Sequence, residues 1–134
     1  MHAYPDISFL FSLHAPQSQS PIASAYFATM KVPPHLTSMS RFELLNAIQH
    51  ALFRKMIEKS AGVTGTGKTG CEQCQQRPCH LQCDWAAVHG RSLQIARQYT
   101  GKGGYRGSDI LHVATALELG AKEFLTFDAK QSLM

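Results

Sequence analysis

Acidic residues are scarce in this chain: nine of 134 positions are Asp or Glu, against thirteen Lys or Arg, and charged residues of both signs make up 16%. With 44% hydrophobic residues, so low a charge excludes an intrinsically disordered polyelectrolyte. Long apolar runs are missing as well; none approaches the roughly 20 residues that span a bilayer, so no membrane association is expected. No basic segment followed by a cleavable apolar stretch opens the sequence, which predicts a cytoplasmic protein with reduced cysteines. The length suits a single domain with a real core and is too short for two ordinary ones.

What is present reads as strands alternating with helices. Residues 3–7 are mixed and partly apolar, as in a first strand, and residues 8–13 continue apolar before a loop at 15–20. Ser20 before Pro21 predicts an N-cap and a helix over residues 21 to about 30. Residues 35–39 suggest a second strand. Ser40, Arg41, Phe42 and Glu43 match a capping box, and Leu45, Ile48, Leu52 and Met56 recur at spacings of three and four. A helix is expected there, with the Phe42, Leu45, Ile48, Leu52 stripe in the core. From about 61 to 79 the chain is Gly- and Cys-rich without hydrophobic period, as in a flexible connection. Residues 80–83 suggest a brief third strand. Asp84 is placed as the N-cap of a helix with Trp85, Val88, Ser92, Ile95 and Tyr99 on one face, broken by residues 101–104. Ser108 is placed as the cap of another helix, closed by Gly120, and residues 123–127 form a last strand ending at Asp128. This order predicts an α/β domain with a mainly parallel sheet.

Four of the nine acids fall where such a sheet carries functional groups. Asp6 is near the end of the first strand and Asp128 closes the last, while Glu43 and Asp109 lie in the first turns of helices that follow strands. Ligands of open parallel sheets bind beyond the carboxyl ends of the strands. Carboxylates gathered there repel one another unless a cation neutralises them, and an all-oxygen set suits Mg²⁺ or Mn²⁺. Each acid also has a purely structural reading. Glu43 can partner Ser40 in the capping box, Asp109 can complement the helix dipole, and Asp6 and Asp128 can be strand-end turn residues.

Four blocks together resemble PIN-domain proteins, and within them the VapC-like toxin ribonucleases: residues 4–10 (YPDISFL), 42–47 (FELLNA), 107–116 (GSDILHVATA) and 124–128 (FLTFD). The resemblance spans most of the chain outside about 61–79, and the block around Asp109 is its most specific part. It implies a three-layer α/β/α sandwich in which Asp6, Glu43, Asp109 and Asp128 hold one or two Mg²⁺ or Mn²⁺ ions. It implies an endoribonuclease that leaves a 5′-phosphate and a 3′-hydroxyl, an RNA substrate, a cognate antitoxin protein as inhibitor, and a homodimer. Ser8 matches the family's small hydroxyl residue two after the first Asp. Asn46, one turn from Glu43, is placed to hold that carboxylate, with Thr126 and Arg106 as further supporting residues. The sequence departs from the family at Pro5, which removes a ladder donor from a strand. It also departs in the Gly/Cys-rich connection and in the six residues after Asp128, where relatives usually continue to a further strand. Those departures keep open a PIN fold that binds RNA or protein without cleaving.

Other motifs are weaker. Residues 62–69 match the phosphate-loop pattern G-x-x-x-x-G-K-T, but neither the strand before it nor the helix after it is expected, so nucleotide hydrolysis is set aside. Cys71, Cys74, Cys79 and Cys83, with His80 adjacent, hold one C-x2-C pair that the second pair does not repeat. They suggest either a small zinc knuckle, and with it an interaction module, or reduced cysteines with Cys83 turned into the core. His112, one turn after Asp109, is read as a packing residue before a site residue, and Trp85 as an anchor of its helix. If the four motif acids converge on metal, five acids remain against thirteen bases, leaving the rest of the molecule at +8. A basic surface around an acidic pocket suits a phosphate backbone.

Overall fold

The computed structural model describes residues 2–32, 34, 36–57 and 81–134. These are mostly helical, with two short parallel strands. The phosphate-loop pattern, Cys71, Cys74, Cys79 and His80 lie outside the described residues. The chain divides into two compact units, Met1–Asp6 with Gln82–Met134, and Ile7–Leu81.

In the first unit, β1 (Ala3–Pro5) pairs in parallel with β2 (Glu123–Leu125), Tyr4 opposite Phe124 and Pro5 opposite Leu125. Pro5 costs this ladder nothing. The Asp6 N–H donates to Leu125 O at 3.0 Å and His2 O accepts from Glu123, so residues 2, 4 and 6 direct their peptide groups to β2. The Pro5 nitrogen faces the other edge, where a missing donor is tolerated. The last strand stops at Leu125 rather than 127. Leu81, Gln82 and Cys83 are not a strand; they lead into α4 (Trp85–Ile95), capped as expected by Asp84, whose side chain accepts from Ala86 and Ala87 N–H at 3.0 and 3.1 Å. The helix is not broken at 101. It continues through a π-helical turn, Ala96–Thr100, and a last α turn, Gly101–Gly103, and ends at Gly104, whose φ of +62° favours a residue without Cβ.

The helix α5 (Gly107–Glu118) is capped at Arg106, not at Ser108, so Asp109 is its third residue. Its face carrying Ile110 and Ala114 packs on Val88 and Ile95 of α4, with Trp85, Tyr99, Tyr105 and Met134 around them. Burial at roughly 25 cal/mol per Å² makes this helix pair the main apolar stabilisation of the unit. An Arg91–Glu118 ion pair of 2.6 Å joins the two helices at the surface, where such pairs contribute little. Gly120, at φ +61°, closes α5 as expected.

The second unit is helical in its described residues. The apolar run after Asp6 is α1 (Ile7–His14), not a continued strand, and α2 (Ser20–Thr29) begins one residue earlier than expected, with Gln19 as N-cap. The expected strand at 35–39 is absent from its described part. Thr37 instead caps α3 (Ser38–Phe53), its hydroxyl accepting from the Ser40 N–H at 3.1 Å. Ser40 is thus inside the helix, and the expected Ser40–Glu43 capping box does not form. The stripe is also rotated from expectation: Leu44 is buried against Leu10 and Leu36, while Phe42 and Leu45 are 67% and 59% exposed. Thr37→Ala, at a fully buried cap, is expected to lower stability by about 1 kcal/mol in urea unfolding, with an unchanged m-value.

No helix among the described residues is long and apolar enough to cross a membrane.

Candidate functional site

In the first unit, the side chains of two of the four motif acids, Asp6 and Asp109, enter one hydrogen-bonded chain, which Asp128 joins through its main-chain N–H. Asp6 follows β1 and is buried at 3% exposure, because the pairing of its own N–H with Leu125 draws it against the end of β2. Thr126, the residue after β2, donates its hydroxyl to Asp6 Oδ2 at 2.8 Å and lies 3.0 Å from Gln131 Oε1. The Gln131 amide nitrogen lies 3.4 Å from Asp109 Oδ1, a long bond. Asp109 uses its other oxygen to accept the Arg106 N–H at 3.1 Å, closing the first turn of α5.

Asp128 shapes the turn that carries Gln131. Its N–H donates to the Thr126 hydroxyl at 2.9 Å, and its Oδ1 accepts from Lys130 N–H at 2.7 Å and, at 3.4 Å, from Gln131 N–H. The short 3₁₀ turn Gln131–Leu133 follows. Local turn chemistry therefore explains one oxygen each of Asp109 and Asp128, as their structural readings require. Asp6, the residue immediately before α1, is taken out of water beside the Thr126 hydroxyl. Among the described residues, no three His, Cys, Asp or Glu side chains stand close enough to share one metal ion. The donors of the chain are all oxygen apart from one amide nitrogen, the chemistry that suits a hard divalent cation.

The other predicted residues are placed as follows. Glu43 is half-buried in the second turn of α3, and Asn46, one turn on, is exposed; Ser8 is half-buried at the start of α1, its carbonyl accepting from the Ser12 hydroxyl. All three belong to the second unit. Arg106 is exposed, and its bond to Asp109 is made by its main-chain N–H. A cavity of about 310 Å³ opens beside the chain of side chains, lined by Phe124, Val113 and Leu117 together with Thr126 and Gln131.

Sequence reasoning missed Gln131, although Gln three residues after Asp128 is one turn away in any helical turn, a spacing that brings side chains together. It placed His112 correctly as a packing residue. His112 is 2% exposed and its Nδ1 lies 2.8 Å from the hydroxyl of Tyr4. Cys83 packs from an irregular segment against the α4–α5 core, and burial pushes its thiol above the ordinary value of 9.0. Because burial disfavours the thiolate, Cys83 leaves stability unaffected below the unfolded thiol's pKa and lowers it as pH rises from there through the raised native value. At about pH 8, Cys83 is expected to alkylate more slowly in the native chain than in urea, as read by peptide mass mapping. A comparison with models of known protein families returns no match, and no curated protein matches the chain.

Proposed function

We propose that the protein is a Mg²⁺- or Mn²⁺-dependent endoribonuclease, the toxin of a toxin–antitoxin pair, built on a PIN-like three-layer α/β/α sandwich. The observation that carries this reading is the side-chain chain Asp6–Thr126–Gln131–Asp109, which ties two motif carboxylates together beyond the ends of β1 and β2. Asp128, bound to Thr126, adds a third acid to the same group. Glu43 completes the motif by resemblance alone. A divalent cation bound to such carboxylates polarises a phosphoryl oxygen and lowers the pKa of a bound water. The chain's own part is to hold carboxylates in place with locked partners: Thr126 fixes Asp6, the α5 cap fixes Asp109, and the Asp128 turn fixes Gln131. Eight net positive charges outside the motif acids favour a polyanionic substrate over a neutral metabolite.

The test is cleavage of a mixed RNA pool by the purified chain, titrated with Mg²⁺ and Mn²⁺ and quenched with chelator. Metal-dependent products bearing 5′-phosphates support the reading. A second reading, a fold that binds RNA or a protein without cutting it, is favoured by the lack of three metal-sharing side chains among the described residues. RNA retained on the protein but intact at every metal concentration selects it.

A further inference from the structure

Between Asp84 and Asp109 the chain carries no acid: residues 85–108 hold Arg91, Arg97, Lys102 and Arg106 and neither Asp nor Glu. Arg91 is paired with Glu118. The other three are exposed, and the ion pairs among the described residues, His2–Glu123 and Arg91–Glu118, do not involve them. The π-helical turn Ala96–Thr100 sets their placement. In an α-helix, residues five apart point about 140° away from each other round the axis. A π turn closes on i→i+5 hydrogen bonds and brings such residues toward one face. Burial follows that pattern. Ala96 and Tyr99 pack toward α5, while Arg97, Gln98, Gly101 and Lys102 are exposed together. Gly104 then turns the chain, and the Tyr105 ring lies so close on Gly103 that a Cβ there would overlap it. Arg106 follows, its main-chain N–H held by Asp109 Oδ2 at 3.1 Å. The three cations therefore form a strip that ends at the Asp109 carboxylate.

The fold itself gains little from this arrangement. Within the π turn, the Thr100 hydroxyl oxygen is buried with no hydrogen-bond partner, which a structure seldom tolerates without a reason. Gly101 and Gly107 are both helical, neither at positive φ, and a Cβ added to either would meet nothing within 4 Å. Glycine in a helix is less stable than alanine, but it leaves the backbone open to close approach from outside. We propose that Arg97, Lys102 and Arg106, with the open backbone at Gly101 and Gly107, form a track for the phosphate backbone of RNA that leads to Asp109, an inference that rests on the RNA substrate of the reading above. Charge supplies the complement: three cations without acidic partners, within ten residues of chain, face a regular polyanion. The arginines can grip phosphate through two N–H groups each, and the lysine acts as a point charge. Contacts of this kind fix affinity and register and leave base sequence unread.

The experiment is fluorescence anisotropy of the full chain with a short fluorescein-labelled oligouridylate, in chelator and across a salt series. A chain carrying Arg97→Ala, Lys102→Ala and Arg106→Ala together is expected to raise Kd by about tenfold or more at low salt. It also flattens the slope of log Kd against log salt by about 2, three phosphate contacts at roughly 0.7 each. Lys122→Ala with Lys130→Ala removes two exposed charges outside the track and is expected to keep the parent slope. Parent Kd and slope in the triple variant overturn the inference, as does a parent chain that binds no oligouridylate. A slope loss per charge as large in the control as in the triple variant also overturns it, because the interaction is then one of net charge alone. Should the triple variant lose its circular dichroism, Lys102→Ala decides: a slope lower by about 0.7 supports the track and an unchanged slope overturns it. The nuclease reading fails separately. RNA held through these residues in chelator, yet uncut at every Mg²⁺ and Mn²⁺ concentration, removes cleavage and leaves the track standing. Cleavage by the triple variant with the parent's KM does the reverse.

Discussion

Tyr4→Ala lowers the unfolding midpoint by roughly 10–20 °C. Tyr4 is fully buried in the middle of β1. Its ring stacks on Phe124 across the strand pair, centroids 5.8 Å apart and planes 5° from parallel. On its other side the hydroxyl meets His112 Nδ1 of α5 at 2.8 Å. One residue therefore links the two strands to the helix. Deleting a buried aromatic side chain costs about 3–5 kcal/mol, and stripping a buried ring nitrogen of a partner adds about 1–3. Domains of this size are stable by about 5–15 kcal/mol in all, so the loss is a large fraction of the margin. Tyr4→Phe separates the two contributions. It keeps the ring stack and removes the hydroxyl, and is expected to cost about 1–2 kcal/mol. Urea unfolding of the three proteins checks both figures, and a Tyr4→Ala loss below about 1 kcal/mol contradicts the packing argument.

The residues that declare themselves through short-range chemistry were legible in the sequence. Asp84 before an amphipathic run and Gly120 after one are local signals, and both ends fall where they were expected. That the strands run parallel followed from the order of elements; which strands pair, the first with the last, did not. Misreadings occur where two local signals compete. Thr37 and Ser40 are both good N-caps, three residues apart; the structure uses Thr37, and it exposes Phe42 and Leu45, which were expected in the core, and buries Leu44. The run after Asp6 is short and strongly apolar, and such a run does not by its period distinguish the helix α1 from a strand. At the candidate site, Asp6, Asp109 and Asp128 were found by motif, because acids were rare enough for their positions to stand out. Gln131 was not, because a neutral amide carries no signal until its partners are seen.

The other large effect is a loss of activity without a loss of fold. Asp6→Asn is expected to reduce metal-dependent RNA cleavage by about a thousandfold or more, equivalent to roughly 4 kcal/mol of transition-state stabilisation. The same substitution is expected to leave the unfolding midpoint unchanged or higher. Asn at position 6 is nearly the same shape as Asp, so packing at this 3%-exposed position is kept. It removes a buried negative charge, whose desolvation opposes folding. It also brings an amide donor to the end of the chain of side chains. That donor can serve Thr126, the Thr126 proton can pass to Gln131 Oε1, and the Gln131 nitrogen can serve Asp109. The links of the chain are thereby kept. Asp109→Asn keeps an oxygen for the Arg106 N–H and so keeps its helix cap, and its cleavage is expected to fall as far. Opposite movement of rate and midpoint is the signature of carboxylates retained for chemistry at a cost to stability. If Asp6→Asn cuts RNA as fast as the parent, the carboxylate is not part of the reaction. If it unfolds the protein instead, Asp6 is a structural residue whose charge is fully compensated in the native state.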